Sequence, residues 1–405
     1  MNFLVGLCFV VTASAQETTL QSLFSPNAEA PVATYAGTLS SPPVPHFSVR
    51  LPGELVGSGS HTEYGGPVIY GDLALLGSAG SSALHAVSRR DGSEVLSYPA
   101  DGPVQSTAVL VGDRVIFGDK GGTTWCYKLD GTLVWRHTGT APILTTPTLR
   151  DNHVYVADVE DLVVALDLAT GEIQWRYERP ASLSRSSALG LFAKPEPAVR
   201  GAFLYAGFSD GAVVALNAET GDSVWEAQVG EGEYPDLVAG LVAHGGDIYV
   251  SGYFAPFAAV ETTNESVRWR VEAGSAATPL LNSTLAEPVF YHPSSDGHLR
   301  AVVARTGEVL WDWDSGKTGA LTEITTTDAG LLFGVADGGI YIVDPETGDE
   351  VWRYRGQRQL NGVSVAPTVS GRQVMFVTNA GRLISMLTPT GREQDDRRPW
   401  DSRFE

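Results

Sequence analysis

The chain of 405 residues carries 27 Lys and Arg against 47 Asp and Glu, a formal charge of −20, and 43% of it is hydrophobic. That balance supplies a packed core, and it excludes a surface for nucleic-acid phosphates or for an anionic membrane face, both of which need clustered Lys and Arg. With 45 Gly and 23 Pro, turns must be frequent, so many short strands are expected rather than long helices.

In chain order, residues 1–15 read as an export signal: Phe3 to Ala13 is apolar, and Ala13-Ser14-Ala15 is a small-x-small cleavage site. The run is too short to span a bilayer, and no later one reaches the ~20 apolar residues of a membrane helix, so no direct membrane insertion is expected. Cleavage removes Cys8 and leaves Cys126 without a disulfide partner or the companions of a cysteine-based metal cluster. Leu7 precedes Cys8 where a lipoprotein signal has a small residue, so a lipid anchor is not supported. Residues 16–45, rich in Ser, Thr, Ala and Pro, predict a flexible tether.

From there a repeat takes over: a Pro-led apolar strand, a second strand, a tight turn, a third strand, then Thr-Gly-x-x-x-Trp. The turn glycine or its equivalent falls at Gly92, Gly131, Gly171, Gly221, Glu265, Gly307, Gly348 and Gly391, spaced 39, 40, 50, 44, 42, 41 and 43 residues apart. That period matches propeller blades of ~40–50 residues. Four residues after the turn come Trp135, Trp175, Trp225, Trp269, Trp311 and Trp352, with Leu96 in the first repeat. One large planar side chain per repeat suits the junction between wedge-shaped sheets, so these tryptophans are read as packing rather than ligand-stacking groups.

Five or six residues before the turn a small residue recurs (Ala86, Cys126, Ala165, Ala215, Ala259, Ala301, Ser385), broken only by Ile342. Cys126 is thus expected to be a small core filler. The eighth repeat has strands at Gln373 to Thr378 and Arg382 to Leu387, but Asp395 stands where its tryptophan belongs. His46 to Leu51 has the character of the missing strand, so residues 46–395 are expected to form one domain closed by both termini, with 396–405 as a tail.

One connection is anomalous. From Trp to the next Pro-led strand is 12 residues after Trp135 and 10 after Trp269, but 22 between Trp175 and Pro197. That insertion carries Leu183, Leu189, Leu191 and Phe192 on an expected surface loop. Long apolar loops on rigid scaffolds are usual binding sites; a loop folded back over the blade rim would account for the same residues.

Repeats of the form Ala-Leu-Asp-x-x-Thr-Gly-x-x-x-Trp, as at Ala165–Trp175, resemble the PQQ-like propeller superfamily across roughly residues 46–391. Among its members the chain is most similar to BamB-like outer-membrane protein assembly factors. The resemblance implies an all-β, eight-bladed β-propeller of four-stranded blades, acting as a non-catalytic scaffold in the periplasm or at the periplasmic face of the outer membrane. Its implied partners are the BamA barrel subunit and nascent β-barrel proteins. In BamB-like proteins the loop after the third blade contacts BamA through Ser-Leu-Ser-Leu-Arg-Gly. Ser182-Leu183-Ser184-Arg185 is similar but lacks the second leucine and the glycine. Of the Asp-x-Asp pair in the next connection, Asp236 matches the first member and Val238 replaces the second. The partner-binding set is therefore Leu183, Arg185, Leu191, Phe192 and Asp236.

Quinoprotein dehydrogenases share the repeat, and the resemblance makes them the enzyme alternative. They carry a pair of adjacent cysteines over the cofactor and carboxylate and amide ligands for calcium, whereas this chain has no cysteine pair and its eight histidines lack HxH or HxxxH spacing. No cofactor and no metal are expected. An exported recognition propeller for an unrelated protein or glycan is the other alternative, because fold alone does not fix function.

Overall fold

The computed structural model describes residues 39, 42–51, 65–180, 182, 195–355, 362–363 and 365–389. The described residues form eight four-stranded antiparallel sheets, the blades of a propeller. Blade 3 stands for the set, with strands Thr148–Arg150, His153–Ala157, Leu162–Asp167 and Ile173–Glu178 in consecutive order from the inside out. No helix among the described residues is long and apolar enough to cross a membrane.

The repeat motif has a local cause in the turn between the third and fourth strands. In blade 3 the Asp167 carboxylate accepts the backbone N–H groups of Ala169 (2.9 Å) and Thr170 (2.8 Å). The N–H of Gly171, at φ 74°, then donates to the Asp167 carbonyl at 2.8 Å. Asn217 and Asp344 repeat that carboxylate or amide cap in blades 4 and 7. Gly171 meets a second demand, because a Cβ there would lie 2.6 Å from the Trp135 ring of the preceding blade. Gly221 stands in the same relation to Trp175.

Each of these tryptophans reaches into the next blade. Trp135 Nε1 donates to the Leu168 carbonyl (3.0 Å), Trp175 to Ala218 (2.9 Å) and Trp269 to Ala304 (3.0 Å). The recurring small residue sits directly across the strand pair from the indole: Ala165 faces Trp175, Ala215 faces Trp225 and Cys126 faces Trp135. Cys126 is therefore a core filler, and burial pushes its thiol up to about 11. The hydrophobic core lies mostly in the seams between blades. Ile116, Cys126 and Trp135 of blade 2, for example, pack against Val154, Val156 and Leu166 of blade 3.

Blade 8 closes the ring as expected. Its strands Thr368–Ser370, Gln373–Thr378 and Arg382–Leu387 are joined by the N-terminal strand Val44–Arg50, antiparallel to Arg382–Leu387. Phe47 pairs with Ser385, the position a tryptophan takes elsewhere, and Leu51 N–H donates to the Gly381 carbonyl at 2.9 Å. Leu51, Val377 and Leu383 then pack against Ala74, Leu76 and Val87 of blade 1. At the inner edge, Thr368 Oγ1 donates to the Pro67 carbonyl at 2.6 Å, repeating the Thr148–Pro197 bond between blades 3 and 4.

Two boundaries differ from the sequence expectation. The strand begins at Val44 rather than His46. Leu39, inside the expected tether, is only 2% exposed and packs against Leu332 and Ile340 of blade 7 and Phe376 of blade 8. Its N–H donates to the Asp328 carboxylate. An apolar side chain adjacent to a strand gains by filling the seam it passes.

Candidate partner-binding face

The connections that leave each outer strand are tied to the hairpin between the second and third strands of the same blade. Arg179 N–H bonds the Asp161 carbonyl, Gly230 N–H the Gly211 carbonyl, and Ser275 N–H the Gly252 carbonyl. Connections and hairpins thus share one face of the ring.

The long connection after Trp175 starts from a clamp. Arg179 Nε lies 2.7 Å from Asp210 and its Nη1 2.8 Å from Glu226, both on blade 4, and the guanidinium stacks 5.8 Å over Phe208. Three residues on, Ser182 N–H donates to Ser209 Oγ at 2.7 Å, and Ser209 Oγ donates in turn to the buried Asp161 carboxylate. The take-off of the insertion is therefore fixed to the neighbouring blade by charge-assisted bonds, which are stronger than neutral ones. Leu183, Arg185, Leu191 and Phe192 lie outside the described residues.

The next connection runs beside it, from Val229 to Leu241. Asp236, expected from the resemblance to meet a partner, is only 4% exposed. Leu237 N–H donates to the Phe208 carbonyl and Val238 N–H to the Ser251 carbonyl, drawing this stretch under the blade 5 hairpin. The Asp236 side chain is thus buried in the free chain.

What the face does present is aromatic. Phe254 is 54% exposed at the tip of the blade 5 hairpin, its ring 4.9 Å from Tyr253 and 5.5 Å from Tyr234 of the adjoining connection. The sequence signal was there: Ser251-Gly252-Tyr253-Phe254-Ala255-Pro256 replaces the four-residue turn found, for example, at Asp158–Asp161 in blade 3.

The channel at the ring's inner edge carries a second group of polar residues. Glu196 and Thr146 each stand two residues before the inner strand of their blades, and Thr146 hydrogen-bonds the Glu196 carboxyl. Glu323, in the same position of blade 7, accepts from Thr278 Oγ1 of blade 6 at 2.7 Å. Burial and the Glu323 charge push Glu196 up to about 7 despite the Thr146 bonds, so its carboxyl holds a proton well above the usual carboxylate range. These residues do not fit a quinone–calcium centre. The donors nearby are threonine hydroxyls and a carboxyl that resists ionising, and Cys126 is single and buried in a blade seam. Among the described residues no three His, Cys, Asp or Glu side chains converge as metal ligands would.

A family model for the outer membrane protein assembly factor BamB matches residues 84–287 and 295–398. The chain belongs to the BamB family. It is 29% identical to the BamB of Legionella pneumophila over 204 residues, 48% of this chain and 51% of that one. To the BamB of Shewanella oneidensis it is 28% identical over 244 residues, 55% and 60% of the two chains. The matched segments thus span about half the length of these relatives. A quinohemoprotein alcohol dehydrogenase from Comamonas testosteroni is 26% identical over 277 residues, 58% of this chain but 35% of the enzyme. Among solved structures, BamB from Moraxella catarrhalis superposes with a TM-score of 0.69 at 19% identity, covering 85% of this chain and 99% of that one. That likeness shows the same propeller fold over 85% of this chain.

Proposed function

We propose that this BamB-family propeller is an exported, non-catalytic scaffold that assists assembly of outer-membrane β-barrel proteins from the periplasmic face of that membrane. Its partner is the BamA barrel subunit, gripped by the connections after Trp175 and Trp225, while the ring holds nascent barrel strands. The observation that supports this reading is the Arg179–Ser182 clamp, which ties the start of the longest connection to blade 4, just ahead of Leu183 and Arg185 in the sequence. A connection anchored at its start loses less entropy on docking, which favours Leu183 and Arg185 as hot spots in this reading. Residues 1–15 act as the export signal in this reading. The test is capture of BamA by the full chain from crosslinked cells of the native host.

The similarity to a quinohemoprotein dehydrogenase supports a second reading, oxidation of an alcohol or sugar with pyrroloquinoline quinone. It is separable by titrating the purified chain with that quinone and calcium: stoichiometric binding with dye-linked turnover would favour the enzyme and overturn the scaffold.

A further inference from the structure

The aromatic trio Tyr234, Tyr253 and Phe254 is not among the residues that the family resemblance marks, yet among the described residues it is an exposed apolar feature of the candidate face. Two rings from one hairpin and one from the neighbouring connection converge on it, with Phe254 outermost. The charge around the rings is one-sided. Glu233 immediately precedes Tyr234 and is exposed. Glu272, also exposed, lies two residues from Gly274, whose backbone packs against the Tyr253 carbonyl. The nearby cations are already engaged, Arg270 by Glu231 at 3.3 Å and Arg179 by Asp210 and Glu226. Glu233 and Glu272 form no ion pair with any described residue.

We infer that Tyr234, Tyr253 and Phe254, flanked by Glu233 and Glu272, form a docking patch for a basic, apolar segment of a protein partner. An aromatic surface attracts Lys and Arg through the negative faces of its rings, and adjoining carboxylates strengthen that attraction while repelling acidic segments. Apolar side chains of the same segment bury Phe254. The acidic rim excludes an anionic lipid surface as occupant. The inference rests on the proposed function only in placing that partner within the assembly machinery.

The test is site-directed photocrosslinking of the full chain in cells of the native host, with Phe254→p-benzoylphenylalanine. The same probe at Val351, equally exposed at 54% on the outer strand of blade 7, is the control. The patch predicts a protein adduct at 254 at least tenfold above that at 351, with mass spectrometry placing the crosslink in a segment bearing Lys or Arg beside apolar residues. Glu233→Lys with Glu272→Lys should cut the adduct at least fivefold at unchanged melting temperature, and Glu233→Gln with Glu272→Gln by less. Equal yields at both sites, adducts confined to lipid or a second copy, an acidic crosslinked segment, or indifference to both charge variants would overturn it. A basic, apolar segment from a protein outside the barrel-assembly machinery would leave the patch standing and overturn the assembly reading instead.

Discussion

Removing residues 1–51 should open the ring, whereas removing residues 1–38 should leave it closed. The longer deletion takes the strand Val44–Arg50 from blade 8 and with it six registered pairs, from Val44–Leu387 to Arg50–Arg382. At a net ~0.5–1.5 kcal/mol per ladder bond, that costs about 3–9 kcal/mol. Leu51, only 3% exposed, adds the ~2–5 kcal/mol of a truncated core leucine, and Phe47 and Val49 lose their contact with the Gly92 turn of blade 1. The loss rivals the ~5–15 kcal/mol total stability of a typical domain. It also bares the edge of Arg382–Leu387, so dimers or aggregates by strand pairing are expected. Thermal melts and size-exclusion chromatography of the two deletions decide the matter. A folded monomer from the longer deletion, melting within ~2 °C of the shorter, would refute closure by the N-terminal strand.

Trp175→Ala should cost ~3–5 kcal/mol, because the indole is 7% exposed and its Nε1 bonds the Ala218 carbonyl of blade 4; a loss below ~1 kcal/mol in urea unfolding would show that the seam does not depend on it. Glu196→Gln should stabilise the chain at pH 8 by up to ~3 kcal/mol and have little effect at pH 4.5 or below. Since the folded carboxyl is pushed up to about 7, its contribution is fully present below its ordinary pKa and is lost as pH rises through 7. Melts across that range check the sign, and an equal shift at both ends would contradict the raised Glu196 carboxyl.

Much of the ring was legible because its cause is local and repeated. The Asp167 cap, the positive φ of Gly171 and the small residue opposite every wedge tryptophan but Trp352 recur at one period, so the sequence showed blade number, register and the role of Cys126 together. Even the missing eighth tryptophan pointed to His46–Leu51, since the last repeat was one strand short of the others. What was not legible depends on where the closed ring brings distant segments. Leu39 is buried only because blades 7 and 8 meet beside it. Asp236 sinks beneath a hairpin whose extra length has no counterpart in the repeat, and the same hairpin brings Tyr253 and Phe254 up against Tyr234. Glu196 and Glu323 are 127 residues apart and share a charge environment only across the channel.

Capture of BamA is the most direct test of the scaffold account. The full chain, tagged and purified after crosslinking in native cells, should bring BamA with it. Leu183→Ala with Arg185→Ala should reduce that yield at least tenfold without moving the melting temperature, as loss of ~2–4 kcal/mol at a hot spot would. Absence of BamA from the purified folded chain, or capture unchanged by the double substitution, would contradict the account.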